Sequence, residues 1–192
     1  NITIMGEGSE LQCGGGIIGD GTFTIGSGAQ LVIDEDATGF GVEMDWYLVN
    51  NGKLMLKSGD LYLFGGSEGE GTLTISEGAY LSFGDGAYNV GGDVLNGGVV
   101  YISVLSSVFF EANYRQENTG TTVFSVWGSE PGEYCQLNVS GQAELDGILE
   151  FDSISADYVP SPGDTFEFMT YGSRDGEFSE IISYPENINF ES

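Results

Sequence analysis

The chain has 192 residues, with 30 Asp or Glu against 4 Lys or Arg and no His, so its formal net charge is −26. The lack of imidazole excludes His-dependent catalytic triads and His metal ligands. The negative charge argues against binding to nucleic acids and against insertion into membranes, because anionic partners are held mainly by Lys and Arg. A hydrophobic content of 40% nevertheless predicts a folded chain.

Glycine is frequent and proline rare, with 32 Gly and 4 Pro. Helices are disfavoured, since Gly in a helix interior costs about 1 kcal/mol relative to Ala. We therefore expect an all-β protein in which Gly-rich segments form the turns. The length favours a single domain over residues 1–192.

The first strands along the chain belong to an internal repeat. Segment 21–31 (GTFTIGSGAQL) recurs as segment 71–81 (GTLTISEGAYL), with seven of eleven positions identical. Each copy reads as a strand, a glycine turn and a second strand. The offsets between copies predict units of about 19 to 27 residues, too short to bury an apolar face alone, so the units should stack.

Weaker copies occupy other offsets. At an offset of 23, the equivalent positions are Leu48, Leu54 and Leu56 for Ile25, Leu31 and Ile33. At an offset of 19, they are Val94, Gly97, Val100 and Ile102 for Ile75, Gly78, Leu81 and Phe83. In the last copy, Leu137, Val139 and Leu145 repeat Phe23, Ile25 and Leu31.

Stacked units of this kind predict a parallel β-helix (β-solenoid) of five to seven rungs with a less regular β cap at the C-terminus. A β-sandwich is the alternative, because short strands between turn signals also fit that fold. Segment 99–110 is predicted as buried strand, on its β-branched and aromatic residues, although a short helix also fits its pattern.

The C-terminal half carries recognisable motifs. They are YRQENTGTTVFSVWG at 114–128, PGEYCQLNVSGQAELDGILEF at 131–151, PGDTFEFMT at 162–170 and GEF at 176–178. These segments resemble the terminal β-solenoid modules of bacterial autotransporter-like adhesins and PEP-CTERM surface proteins, with Cys135 where those modules usually have Asp. The resemblance implies that residues 113–192 form an adhesin-like module after Gly-rich rungs in 1–112. It also implies a secreted or cell-surface protein that is structural or adhesive and not an enzyme.

Two functions follow as hypotheses. A solenoid has open ends, and the apolar strand at 1–5 would be buried by head-to-tail stacking, which predicts a self-assembling extracellular fibre or matrix subunit. The alternative is an adhesin whose outward aromatic residues, for example Tyr47, Tyr62 or Tyr80, bind glycans. A polysaccharide-active enzyme ranks third, because only four basic residues accompany the carboxylates, and no catalytic residue is assigned.

Few residues indicate a specific site. Asp34, Glu35 and Asp36 are weak candidate Ca²⁺ ligands, since Ca²⁺ prefers oxygen donors, but a loop of solvated charges is the favoured interpretation. Cys13 and Cys135 belong to distant rungs and should not pair within one chain, so they are either free thiols or an intersubunit disulfide. Asn1 and Asn138 begin glycosylation sequons.

Overall fold

The computed structural model describes residues 1–13, 21–34, 41–103, 106–130, 132–152, 158, 161 and 163–184. These residues form strands and turns, with no helix among them, which confirms the all-β prediction. The strands are β1 (Ile2–Ile4), β2 (Glu10–Cys13), β3 (Thr22–Ile25), β4 (Gln30–Asp34), β5 (Val42–Met44), β6 (Tyr47–Asn50), β7 (Lys53–Leu63), β8 (Ser67–Glu68), β9 (Thr72–Ile75), β10 (Ala79–Phe83), β11 (Gly86–Val90), β12 (Val94–Asn96), β13 (Val99–Ile102), β14 (Ser106–Phe110), β15 (Tyr114–Gln116), β16 (Thr121–Ser125), β17 (Gln136–Leu145), β18 (Ile148–Asp152), β19 (Met169–Gly176) and β20 (Glu180–Tyr184). Segment 99–110 supplies β13 and β14, so the strand prediction holds there and the helix alternative is wrong.

The strands pair in three ladders, and each pairing between them is parallel. Ladder one contains β1, β3, β6, β8, β11, β14 and the first halves of β17 and β19. Ladder two contains β2, β4, the first half of β7, β9, β12, β15 and the second halves of β17 and β19. Ladder three contains β5, the second half of β7, β10, β13, β16, β18 and β20. Parallel pairing is incompatible with the antiparallel β-sandwich alternative.

We call the chain between successive strands of ladder one a rung. Ladder one has eight strands in the described part of the chain and therefore seven such rungs, within the five to seven expected. The spacing varies from 19 residues, between Leu48 and Ser67, to 32, between Leu137 and Met169. The long connections precede β17 and β19. β19 and β20 continue the ladders, with a register shift between Val139 and Gln142 in the pairing of β17 with β19.

One hydrophobic core lies between the three ladders. Alternate side chains of each strand point into it, as period-two geometry requires. Leu31, Leu54 and Leu73 stack in ladder two, and Leu61 and Leu81 stack in ladder three, all at most 2% exposed. Burial of each such side chain stabilises the fold by about 1.5 to 3 kcal/mol.

The strongest sequence repeat does not mark equivalent strands. Segment 21–31 forms β3 in ladder one and the start of β4 in ladder two, whereas segment 71–81 forms β9 in ladder two and β10 in ladder three. The repeated sequence is thus a corner that the chain uses at two different places. The second copy of the sequence therefore lies one ladder further around the fold than the first copy.

The weaker copies were placed correctly on only one side of each turn. Leu54 and Leu56 pair with Leu31 and Ile33, and Val100 and Ile102 pair with Leu81 and Phe83, as predicted. Leu48 pairs with Phe23 instead of Ile25, and Val94 pairs with Leu73 instead of Ile75. In each case, the error is two residues, because the turn between the strands is two residues shorter than in the copy used as reference.

Candidate functional site

The predicted calcium ligands are only partly described. Asp34 ends β4, where its carboxylate accepts hydrogen bonds from Ser58 Oγ at 3.1 Å and from Gln12 Nε2 at 3.3 Å. Glu35 and Asp36 lie outside the described residues. Among the residues that are described, no group of three His, Cys, Asp or Glu side chains could hold a metal ion. The Ca²⁺ site stays a prediction.

The two cysteines are free and differ in accessibility. Cys13 is partly buried on β2 in the first rung, and burial raises the pKa of its thiol. Cys135 is fully buried just before β17, and its Sγ accepts a hydrogen bond from the Ser125 N–H at 3.1 Å. Burial raises the pKa of Cys135 to about 12. An intersubunit disulfide stays a prediction, but it requires exposure of a thiol that is buried and protonated at neutral pH.

Both sequon asparagines use their side-chain oxygens in hydrogen bonds. Asn1 is exposed, and its Oδ1 accepts from Thr22 N at 3.1 Å. Asn138 points outward between buried Leu137 and Val139, as alternation predicts, and its Oδ1 accepts from Thr170 Oγ1 at 2.8 Å. Glycosylation at either position stays a prediction.

The outward side of ladder three carries a continuous group of aromatic rings, which we call the aromatic strip: Phe64, Tyr62, Tyr80 and Tyr101. The ring centroids are 6.4 Å apart for Phe64 and Tyr62, 5.9 Å for Tyr62 and Tyr80, and 6.3 Å for Tyr80 and Tyr101. Phe64 is 47% exposed, and the three tyrosines are partly exposed. The strip covers three successive rungs with apolar surface that water can reach.

Register and alternation explain how the strip assembles. Phe64 directly follows β7, two residues after Tyr62, so both side chains point outward, and their ring planes differ by only 6°. Tyr80 and Tyr101 come from the next two strands of the ladder. Glycines leave room for the rings: a Cβ at Gly41 would lie 2.6 Å from the Tyr62 ring, and one at Gly84 would lie 2.5 Å from the Phe64 ring.

Carboxylates border the strip. Asp60 pairs in register with Tyr80 and accepts a hydrogen bond from the Tyr62 hydroxyl at 3.3 Å. At the other end, Ser125 Oγ donates to the Tyr101 hydroxyl at 2.8 Å, and Asp152 pairs in register with Ser125. Burial raises the pKa of Tyr80, and the negative charge of Asp60 adds to the effect. Burial likewise raises the pKa of Tyr101, with a contribution from Asp152. These hydroxyls therefore remain protonated at neutral pH.

The four basic residues of the chain lie elsewhere. Lys53, Arg115 and Arg174 belong to ladder-two strands, and Lys57 lies at the corner where β7 passes from ladder two to ladder three. Arg115 forms an ion pair with Glu144 at 3.6 Å across neighbouring strands. The outward positions of the ladder-three strands thus carry acidic, polar and apolar residues only.

Sequence reasoning found half of the strip. It named Tyr62 and Tyr80, which the structure brings together, and Tyr47, which lies in ladder one with its hydroxyl 3.1 Å from Glu68. It missed Phe64 and Tyr101. Phe64 could have been found from its spacing of two residues from Tyr62. Tyr101 could not, because its contact with Tyr80 depends on the pairing of strands.

A second group that the sequence did not reveal is a buried polar network. Asn96, Tyr114, Gln116 and Thr122 are each at most 2% exposed. The Tyr114 hydroxyl donates to Gln116 Oε1 at 2.8 Å and contacts Thr122 Oγ1 at 2.7 Å, while Asn96 Nδ2 donates to the Tyr114 hydroxyl at 3.1 Å. Because its members are enclosed and satisfy one another, this network holds the fold together and has no access to ligand.

A small cavity lies between the ladders. It is lined by Leu48, Leu54, Leu73, Phe83 and Val90 among others, and it has room for about one water molecule. The aromatic strip is the larger feature, and it lies on the outside.

No family model, curated protein or solved structure matches the chain. Among the described residues, there is also no helix that could span a membrane. Function must be argued from the geometry of the chain itself.

Proposed function

We propose that the three ladders are the faces of a parallel β-helix, or β-solenoid. The proposal is supported by side chains that stack in register through successive rungs, as Leu31, Leu54 and Leu73 do, and by a single core shared by all three ladders. The loops at the corners vary in length while the strands keep pairing in the same three ladders, which is the behaviour of a stacked repeat.

The function that this geometry supports best is carbohydrate binding by an extracellular, non-enzymatic surface protein. The observation that carries the proposal is the aromatic strip, with four rings at spacings of 5.9 to 6.4 Å on one outward face. The extracellular setting rests on the resemblance of segments 114–128, 131–151, 162–170 and 176–178 to surface adhesins.

Sugar rings and aromatic rings suit each other physically. The C–H groups on one face of a pyranose form an apolar plane that packs on an aromatic ring, and the sugar hydroxyls at its edge need polar partners. The strip supplies the planes, while Asp60, Asp152 and the tyrosine hydroxyls supply hydrogen-bonding groups beside them. An exposed apolar surface bordered by polar residues is also a general mark of a binding site.

Binding of the isolated protein to a panel of neutral, acidic and amino-sugar glycans tests this function. We expect saturable binding to at least one class and a loss of about five- to tenfold in affinity for Phe64→Ala. Phe109→Ala is the matched control, because Phe109 is 43% exposed on the outward side of ladder one. Binding that both variants weaken equally, or no binding to any class, would reject the proposal. Release of reducing sugar in the same incubations would show enzymatic activity instead.

A fibre subunit is the second candidate, favoured by the terminal strands. In the described part of the chain, β1 pairs only with β3, and β20 only with β18, so each has an unpaired edge. Ile2 and Ile181 on these strands are 40% and 39% exposed. Docking of the first rung of one copy on the last rung of another would continue the ladders, pairing β1 with β19 in ladder one and β5 with β20 in ladder three.

One residue sets a condition on such stacking. Arg174 pairs in register with buried Ala143, so it occupies a position that is inward in the preceding rung, and its guanidinium lies 3.6 Å from Glu177. A second copy docked there would cover this charge. We expect Arg174→Leu to promote filaments visible by electron microscopy, whereas monodisperse particles for both proteins across salt and calcium concentrations would exclude the fibre.

A further inference from the structure

The charge around the aromatic strip restricts its ligand. The strip lies on a face whose outward strand positions include Glu43, Asp60, Glu150 and Asp152 and no Lys or Arg. Glu43 pairs in register with Tyr62, and Glu150 lies in the same column as Tyr101, two strands further along. A ligand that follows the strip therefore meets carboxylates at both ends and beside its middle.

We propose that the aromatic strip binds a polysaccharide with free amino groups, of the kind formed by partly deacetylated amino sugars. This inference rests on the proposed carbohydrate function and adds the charge of the ligand to it. The ammonium groups lie against Asp60 and Asp152, and the sugar rings stack on Phe64 and the tyrosines.

The chemistry of each part favours this ligand. Carboxylates accept strong hydrogen bonds from ammonium groups, and the faces of tyrosine and phenylalanine rings attract cations. An acidic polysaccharide would meet like charge along the whole strip without a basic residue to compensate. A neutral polysaccharide could stack but would leave the bordering carboxylates without a partner of opposite charge.

Asp60 is the carboxylate that the structure places best. It is partly buried, it pairs in register with Tyr80, and its Oδ2 accepts a hydrogen bond from the Tyr62 hydroxyl at 3.3 Å. An ammonium group packed over Tyr80 would be within the reach of this carboxylate. Asp60→Asn keeps an oxygen that can accept the Tyr62 hydrogen bond and removes the charge.

The experiment compares a soluble glucosamine hexamer with its fully N-acetylated counterpart by isothermal titration at 0.15 M salt. We expect the hexamer with free amines to bind more tightly, and its affinity to fall as salt increases. Asp60→Asn should weaken it about two- to fivefold while leaving the acetylated hexamer unchanged. Asp93→Asn, at an exposed carboxylate just before β12 of ladder two, is the control and should change neither.

A protein of net charge −26 attracts any polycation, so stacking must be shown separately. A lysine hexamer serves as the probe for charge alone, and Phe64→Ala leaves the charge unchanged. We expect Phe64→Ala to weaken the glucosamine hexamer about five- to tenfold and to leave lysine hexamer binding as it was.

The outcomes separate the two proposals. Equal affinity for the free and acetylated hexamers would overturn the amine preference and leave carbohydrate binding intact, and so would preferential binding of acidic glycans. Glucosamine binding that Phe64→Ala does not change, at the level of the lysine hexamer, would show attraction by charge only and overturn the site. Failure of every glycan to bind would reject both proposals.

Discussion

The corner at Ser76–Ala79 and the corner at Gly97–Gly98 join the same two ladders, yet the second spans two residues fewer. In the long corner, Ala79 N donates to Ser76 O at 3.0 Å and Gly78 adopts a φ of +81°. In the short corner, the buried side chain of Asn96 replaces this turn, with its Oδ1 accepting from Gly98 N at 3.1 Å. One amide side chain thus substitutes for two residues of backbone.

The same difference separates two corners between ladders one and two. Ala29 N donates to Gly26 O at 3.0 Å in the long corner, whereas Gly52 N donates to Asn50 Oδ1 at 3.1 Å in the short one. Each asparagine also donates from Nδ2 to a carbonyl of the next rung, Asn50 to Thr72 O at 3.0 Å and Asn96 to Thr121 O at 3.2 Å. These two short corners each use a polar side chain inside the core, and the two long corners compared with them are closed by a backbone hydrogen bond instead.

Of the substitutions considered, replacement of the corner amide by a carboxylate should lower the free energy of unfolding most. Asn96→Asp keeps the shape but loses the donor and buries a carboxylate, so we expect a loss of about 3 to 5 kcal/mol at pH 7. Burial should raise the pKa of the new carboxyl, so the folded state holds the proton more tightly and the loss should shrink as pH falls. Urea denaturation from pH 4 to pH 8 measures both effects. Asn51→Asp is the control, because Asn51 is exposed and uses only its Oδ1, to accept from Glu70 N.

The glycine of a short corner should tolerate no side chain. A Cβ at Gly98 would lie 2.4 Å from Ala79 O, so Gly98→Ala should cost about 3 kcal/mol through backbone displacement. At Gly78 of the long corner, there is open space and only the positive φ opposes alanine, so Gly78→Ala should cost about 1 to 2 kcal/mol. The urea midpoints of the two variants, compared at constant slope, give the difference. Equal losses would contradict the distinction between the corners.

The two corner types explain what the sequence could and could not predict. Alternation identified the strands, because Leu145, Phe151 and similar residues are buried between exposed or half-exposed carboxylates. The ladder of each strand was not predictable, since nearly the same corner sequence serves between ladders one and two at 25–29 and between ladders two and three at 75–79.

Constant offsets also failed for a physical reason. The asparagine that shortens a corner occupies the position of a core isoleucine, as Asn96 does opposite Ile75, so it breaks the apolar pattern and the register together. The aromatic strip was only half predictable for a related reason. Rings such as Tyr80 and Tyr101 meet across strands, and their contact depends on a register that one strand alone does not contain.

A buried hydroxyl in the polar network next to the Asn96 corner should contribute more to the free energy of unfolding than a buried hydroxyl outside the network. Tyr114→Phe removes the hydroxyl shared by Asn96, Gln116 and Thr122, and we expect a loss of about 2 kcal/mol. Tyr88→Phe removes one hydrogen bond, from a buried hydroxyl to Leu63 O at 2.7 Å, and should cost about 1 kcal/mol. Calorimetric melting of both variants tests this order. A greater loss for Tyr88→Phe would show that the network adds nothing to the corner.

The smallest effect is expected at a short corner that uses an acid in place of a buried amide. At 145–147, the Asp146 carboxylate accepts from Ser179 Oγ at 2.6 Å and from Gly147 N at 2.7 Å, and these two hydrogen bonds lower the pKa of Asp146, that of Ser179 most. The carboxylate therefore stabilises the fold fully above the unfolded pKa of about 3.9, and this contribution is lost as pH falls through the lower folded value.

Asp146→Asn should consequently reduce the free energy of unfolding only slightly at pH 7, since its amide oxygen can still accept from Gly147 N. At a pH below the folded pKa of Asp146, where the carboxyl is protonated, the substitution should have no effect. An NMR titration of the carboxyl, with Ser179→Ala as the variant that removes the main cause of the shift, checks the assignment. The result also bears on the asparagine corners. If Asp146→Asn lowered the free energy of unfolding at pH 7 as much as Asn96→Asp does, the charge of the side chain would determine whether a short corner forms. The position of its acceptor oxygen would then not be the deciding feature.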